Sequence, residues 1–321
     1  MTTSAPTMLA ALVTDFNQPP AVGEFAAPAA LAGEILLRPT AAALSQLVRA
    51  KASGRHYSSD QTLPAVPGVD GVGITPDGER VFFAFPRSNG SMAQQVAVAR
   101  GLCVPVPDEL DDIAAAALGN PAMSSVAALR YRAGFQPGDN VLINGAAGTS
   151  GRLAIQLARH MGAGHIIATA RSAAVESELR ALGADAFVNL NQSETELTAA
   201  FAEALTRYQV DIVLDYLWGA PAACLLNAIP KTPKPLRFVN IGSLAGADIA
   251  LNAGILRSKN LMLSGSGLGS VSNAQLMQAI ADVMQWAVPA GLSIATRAMP
   301  LSEVTQAWHY QGPERLVLTI G

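Results

Sequence analysis

Apolar positions along this chain follow two rhythms. From Met8 to about Ala114, short apolar runs alternate with turn residues; Met8–Val13, Glu34–Arg38, Gly68–Ile74, Arg80–Phe85, Met92–Val98 and the run ending at Val104-Pro105-Val106 read as strands of a mostly β region. Glycines at positions 68, 71 and 73 let backbones approach or bend within it. From Asn140 onward the rhythm changes. Continuous apolar runs at Asn140–Asn144, His165–Ala170, Ala186–Leu190, Val210–Asp215, Leu236–Ile241 and Leu261–Gly267 are separated by segments with helical apolar spacing: the stretch after Gly151, Ala173–Leu182, Glu194–Tyr208, Pro221–Ile229 and Asn273–Ala287. Buried strands alternating with helices predict a parallel sheet with right-handed crossovers. From Leu292 to Gly321 short strands return, and this end is expected to rejoin the first region. Between the two rhythms an alanine-rich helix opens at Asp111. Asn120-Pro121 is expected to interrupt it, because proline disfavours helical geometry in the residue before it, and a second helix is expected from Ser124 to Arg132.

The segment Asn140-Val141-Leu142-Ile143-Asn144-Gly145-Ala146-Ala147-Gly148-Thr149-Ser150-Gly151 carries the chemistry. It reads as a strand, a glycine turn and a helix start. Unpaired N–H groups at a helix N-terminus face an anion, and the helix dipole favours its charge. Gly145 permits the tight turn, Gly148 lets the backbone approach a pyrophosphate and Gly151 lets the helix pack on the strand. The spacing is G-x-x-G-x-x-G, a departure from the commoner G-x-G-x-x-G. Residues 145–151 are therefore the candidate dinucleotide cradle.

The end of the second strand selects the dinucleotide. An NAD site usually places a carboxylate there for the ribose hydroxyls, whereas this strand ends in Ala170 followed by Arg171 and Ser172. Arg171 offers planar donors suited to a 2′-phosphate and Ser172 adds a hydroxyl, so NADPH is favoured. The alternative is that Arg171 is only a solvated surface charge.

Composition narrows the class. The chain has 321 residues, half of them hydrophobic and 14% charged, which suits a two-domain soluble enzyme rather than a disordered protein. With 21 basic against 24 acidic residues, nothing favours nucleic acid or an anionic membrane, and no apolar run is long enough to span a bilayer. Cys103 and Cys224 are far apart and the four histidines scattered, which excludes a disulfide framework and argues against structural zinc; a cytoplasmic location is expected.

Four segments together resemble the medium-chain dehydrogenase/reductase superfamily, in its zinc-free quinone oxidoreductase branch: Leu63–Gly73, Pro137–Gly148, Leu182-Gly183-Ala184-Asp185 and Val239-Asn240-Ile241-Gly242-Ser243. The resemblance implies an α/β fold, with a Rossmann-type doubly wound parallel sheet at 115–289 and a GroES-like mostly β catalytic domain at 1–114 and 290–321. It places the active site in the cleft between them. Zinc-dependent relatives carry a cysteine near Leu44-Ser45 and Gly-His-Glu where this chain has Gly68-Val69-Asp70, so both metal-binding side chains are missing here. By the same resemblance Tyr57, in Ser53-Gly54-Arg55-His56-Tyr57, either donates a proton to the acceptor or packs the cleft wall. Ser124 either contacts the nicotinamide ribose or ring or caps the helix it opens. Gly242-Ser243 and Gly265-Ser266-Gly267 line the nicotinamide end, at the carboxyl edge where doubly wound sheets bind ligands. Val175 and Asn191 stand where such reductases often carry a lysine and a tyrosine near the 2′-phosphate, which leaves the NADPH preference mainly to Arg171.

The expected activity is zinc-independent hydride transfer from NADPH to a small quinone or α,β-unsaturated carbonyl acceptor. An enoyl thioester reductase of the same superfamily, suggested by Asn120-Pro121, and a non-catalytic NADPH-binding regulatory protein are the alternatives. Relatives often pair as homodimers through the edge strand of the cofactor sheet, and Leu261-Met262-Leu263 is the candidate edge.

Overall fold

The computed structural model describes residues 6–56, 59, 61–87 and 89–321. Two compact units emerge, Met1–Asn120 with Ile280–Gly321, and Pro121–Ala279. In chain order the first comprises β1 (Thr7–Leu12), β2 (Ala21–Ala26), β3 (Glu34–Ala43), α1 (Gln46–Ala52), β4 (Asp70–Ile74), β5 (Arg80–Ala84), β6 (Val96–Ala99) and β7 (Cys103–Pro105). The helix α2 (Asp112–Ala127) carries the chain past the boundary at Asn120 and Pro121. The second unit holds β8 (Val141–Asn144), α3 (Thr149–His160), β9 (Ile166–Ala170), α4 (Glu176–Ala181), β10 (Ala186–Asn189), α5 (Glu194–Arg207), β11 (Ile212–Asp215), α6 (Gly219–Ala228), β12 (Leu236–Asn240), α7 (Ala253–Ser258) and β13 (Leu261–Gly265). Through α8 (Asn273–Ala287) the chain returns to the first unit for β14 (Thr296–Pro300), α9 (Val304–His309) and β15 (Arg315–Thr319).

In the second unit six parallel strands run in the order β10-β9-β8-β11-β12-β13. The alternation along each strand explains why helices cover both faces. Val141, Ile143, Ile166, Ala168, Ile212 and Leu214 pack with Ile155, Ala158 and Leu179 on one side. Leu142, Ile167, Val213 and Phe238 pack with Phe201, Leu205 and Leu225 on the other. Strands apolar on both faces belong in such a sheet. Strand order reverses between β8 and β11, the switch point at which open α/β sheets bind ligands beyond the strands' carboxyl ends.

The first unit is built on a seven-stranded sheet in the order β14-β15-β3-β4-β5-β7, with β6 also pairing β3. Its glycines act as expected: a Cβ at Gly71 would stand 2.7 Å from the Ala41 carbonyl oxygen, and one at Gly73 2.9 Å from that of Arg38.

One expected break is absent. Asn120-Pro121 does not divide the helix, since α2 runs unbroken with Pro121 inside and ends in a π turn over Ala128–Arg132. Proline removes the donor that would bond the Ala117 carbonyl. Burial outweighs this cost, because Ala115, Ala116, Ala117, Leu118, Ala122, Val126 and Ala127 are all buried. The periodicity also left out β2, α1, α7 and α9, each short and without a long apolar stripe.

Candidate functional site

The glycine turn connects β8 to α3, and its shape follows from its glycines. Gly145 takes φ +93°, open to glycine at little cost. A Cβ at Gly151 would lie 2.5 Å from the Gly145 carbonyl oxygen and 2.6 Å from Ala146 Cα, so the helix can approach the strand only without one. At Gly148 the nearest protein atom to such a Cβ is 3.7 Å away. Glycine there meets no demand of the protein itself, which fits a position kept open for something outside the chain.

The cradle's donors divide into two groups. Gly145 N–H donates to Thr169 Oγ1 at 3.0 Å and Ala146 N–H to the Thr169 carbonyl at 2.8 Å, which pins the turn to β9. Ala146 is fully buried. The backbone N–H groups of Ala147, Thr149, Ser150 and Gly151 have no partner among the described residues. The N-cap Gly148 has no side chain to satisfy them, and the first turn of α3 carries no acidic residue. Orphan donors at a helix N-terminus with no competing anion fit a pyrophosphate.

A polar network missed by the sequence reading lies beneath the turn. Thr169 Oγ1 donates to Asn144 Oδ1 at 2.9 Å, Asn144 Nδ2 to Asp215 Oδ1 at 2.9 Å, and Asn240 Nδ2 to Asp215 Oδ2 at 3.1 Å. The network joins the ends of β8, β9, β11 and β12. Burial raises the Asp215 carboxyl above its ordinary range, opposed by the bonds from Asn240, Asn144 and the N–H groups of Leu217 and Trp218. Those N–H contacts hold Trp218 at φ +52°, an unusual conformation for a bulky residue. The available signal was a polar residue at the last or next-to-last position of each of these four strands.

At the end of β9, Arg171 is exposed and has no hydrogen bond or ion pair among the described residues. Ser172 Oγ accepts from Ala174 N–H at 3.3 Å and caps the turn Ala173–Val175. The nearby acids are taken: Glu176 pairs with Arg180 at 2.9 Å, and Glu178 with Arg152 at 2.7 Å. The Arg152 hydrogen bond holds the Glu178 carboxyl below its usual range. Arg171 is thus a cation without a counter-ion among the described residues, just after the end of β9.

Of the residues expected at the nicotinamide end, Gly242 is required by the protein, since a Cβ there would sit 2.7 Å from the Tyr216 carbonyl oxygen. Asn240 ties this group together. Its Nδ2 donates to the Gly242 carbonyl at 2.8 Å, and its own carbonyl accepts Ser266 N–H at 2.8 Å. Ser243 is exposed and Ser266 half-buried. Gly265 gives its carbonyl to Arg132 Nε at 2.7 Å, and Gly267 N–H donates to Ser270 Oγ at 2.8 Å. Ser124 does not open a helix; it lies within α2, where its Oγ donates to the Pro121 carbonyl at 2.8 Å. In that arrangement its lone pairs remain open to a donor. Tyr57 lies outside the described residues.

The comparisons agree with this architecture. Residues 151–286 match the family model described as zinc-binding dehydrogenase. A probable NADPH-dependent quinone reductase of Emericella nidulans is 30% identical over 349 residues, covering 94% of this chain and 96% of the relative. The chain belongs to the medium-chain dehydrogenase/reductase superfamily, in its quinone reductase branch. A 2-methylene-furan-3-one reductase of Solanum lycopersicum is 31% identical over 181 residues, 51% of this reductase and 46% of the relative. The native structure of a mycobacterial quinone oxidoreductase superposes with a TM-score of 0.85 at 20% identity, covering 97% of this chain and 99% of that one, which shows a shared fold. The family model's description names zinc, yet in this reductase the positions at issue have other duties. Ser45 caps α1 by accepting Val48 N–H at 3.1 Å, Val69 is buried in the core, and Asp70 accepts from Asn120 Nδ2 at 2.7 Å. Among the described residues no cluster of three histidine, cysteine or acidic side chains could hold a metal.

Proposed function

We propose that this protein is an NADPH-dependent oxidoreductase that reduces a quinone or an α,β-unsaturated carbonyl compound without zinc. The observation that carries the reading is the pairing of an anion cradle with unpaired N–H groups and a cation, Arg171, free of counter-ions where an NAD site would place a carboxylate. NADPH, when bound, supplies the hydride. The chain's own residues bind and orient. Ala147 and residues 149–151 offer N–H groups to the pyrophosphate, Arg171 and Ser172 donate to the 2′-phosphate, and the Gly242-Ser243 and Gly265-Ser266-Gly267 segments flank the nicotinamide end. Ser124 accepts a hydrogen bond from the cofactor, and Tyr57 donates a proton to the acceptor oxygen. In this reading cofactor binding belongs to 115–289, and acceptor chemistry to 1–114 with 290–321. Zinc independence is supported by the commitment of Ser45 to its helix and by the apolar side chain at Val69. Delivery of hydride to an electron-poor acceptor relies on positioning and electrostatics.

We also propose a homodimer in the cytoplasm. Support for the dimer comes from β13, which pairs β12 on one side only and exposes Met262. Support for the compartment comes from Cys103 and Cys224, both free thiols, and from the lack among the described residues of a helix long and apolar enough to cross a membrane. Titration with NADPH and NADH, followed by steady-state oxidation of NADPH with a panel of quinones, enones and enoyl thioesters, tests the function. Tight NADPH binding and turnover with a quinone or enone support it. Turnover confined to enoyl thioesters moves the assignment to that class, and binding without turnover across the panel overturns catalysis.

A further inference from the structure

Two buried hydroxyls stand behind the cradle. Ser125, in α2, is fully buried, and Tyr216, directly after β11, is nearly so. Their oxygens are 2.8 Å apart. Burial holds the Tyr216 phenol above its usual range, so it stays protonated, and Ser125 is its one hydrogen-bond partner among the described residues. Either oxygen can be the donor; with Ser125 as the phenol's one partner, Tyr216 donating is the arrangement that leaves neither buried hydroxyl proton unpaired. The Ser125 proton is left with two carbonyls, of Pro121 and of Ser150, each 3.4 Å from Oγ. Pro121 already accepts the closer Ser124 hydroxyl at 2.8 Å. A carbonyl oxygen can accept twice, so both contacts are open to Ser125, and the one to Ser150 is the contact that leaves its own helix. Ser150 lies in the first turn of α3, and its N–H is one of the unpaired donors.

We infer that Tyr216 and Ser125 are positioning residues for the cofactor, a two-hydroxyl relay that fixes the first turn of α3 against the loop after β11. The inference rests on the NADPH reading above. The loop is well placed for this role, because a Cβ on Gly145 would meet Leu217 at 2.9 Å, and one on Gly242 would meet the Tyr216 carbonyl oxygen. Tyr216 and Leu217 therefore abut both the glycine turn and the segment after β12. The relay sets where the N–H donors of α3 stand relative to Gly242, and its loss is felt as cofactor affinity.

Tyr216→Phe and Ser125→Ala each remove one oxygen and little volume. NADPH affinity by calorimetry, melting of the free protein, and KM and kcat for the singles and the double variant together test the relay. Each single variant is expected to bind NADPH about tenfold more weakly, the scale of one buried hydrogen bond. The double is expected to be no worse than the weaker single, as two links of one relay behave, with the loss in KM rather than kcat. Singles that bind like the wild type, losses that multiply in the double, or lowered melting with unchanged affinity each overturn the relay and leave the NADPH reading standing. A wild type that binds no NADPH overturns both.

Discussion

Arg171 and Gly151 carry opposite burdens. Arg171 has no partner among the described residues, so Arg171→Ala should leave melting unchanged while weakening NADPH about 10- to 100-fold, the range of a charge-assisted hydrogen bond, with NADH almost untouched. Parallel calorimetric titrations check this, and equal losses for the two nucleotides would remove Arg171 from the 2′-phosphate site. Gly151 has no room for a side chain where it faces the glycine turn. Alanine is the better helix former by up to about 1 kcal/mol, but its Cβ would press into the backbone of Gly145 and Ala146, an overpacking cost of about 1–3 kcal/mol or more. Gly151→Ala should therefore lower the melting temperature and abolish tight NADPH binding, which thermal melts and titration would show; a more stable variant would mean that the turn yields easily. Both residues were visible in the sequence because their signals are local, a strand end and a glycine spacing. Asp215 and Tyr216 were not. Ser125 and Tyr216 lie 91 residues apart in the chain, and Asn144 and Asp215 lie 71 apart, so their hydrogen bonds exist only after the sheet has assembled.

Among the elements, the strands and helices of the cofactor-type sheet were legible because its strands are apolar runs and the helices α3 and α5 carry clear apolar stripes. The helix α2 was misread at Pro121 for the complementary reason. Local chemistry argues for a break, and the burial that overrides it comes from residues distant in sequence. Among the edges, β13 is the element with most at stake. Among the described residues it has a strand neighbour on one side only, and it presents Met262 at 57% exposure. If this edge joins two copies, Met262→Lys should convert a dimer into a monomer with its NADPH affinity retained. Sedimentation velocity at matched concentrations reads the result, and a wild type that sediments as a monomer excludes the pairing.

For the whole molecule, pH reports on a buried acid far in sequence from the cradle. Asp70 is nearly inaccessible; burial pushes its carboxyl up to about 6, opposed by the Asn120 hydrogen bond and by the charge of Arg315. Its ordinary value is 3.8, so folding favours the protonated form. The favourable contribution is complete below about pH 4 and is lost as pH rises through 6, a swing on the order of 3 kcal/mol. Asp70→Asn should flatten the melting profile between pH 4 and pH 6 relative to the wild type; parallel profiles would show that the carboxyl titrates normally. The order of elements along the chain also bears on synthesis. Ala41, Ala42 and Ala43 of β3 pair with Thr319, Leu318 and Val317 of β15, and the whole of the second unit is translated between them. A ribosome therefore releases β3 long before its neighbour exists. The three waiting residues are alanines, small and of weak β propensity, which lowers the gain from pairing a stray strand there before β15 arrives.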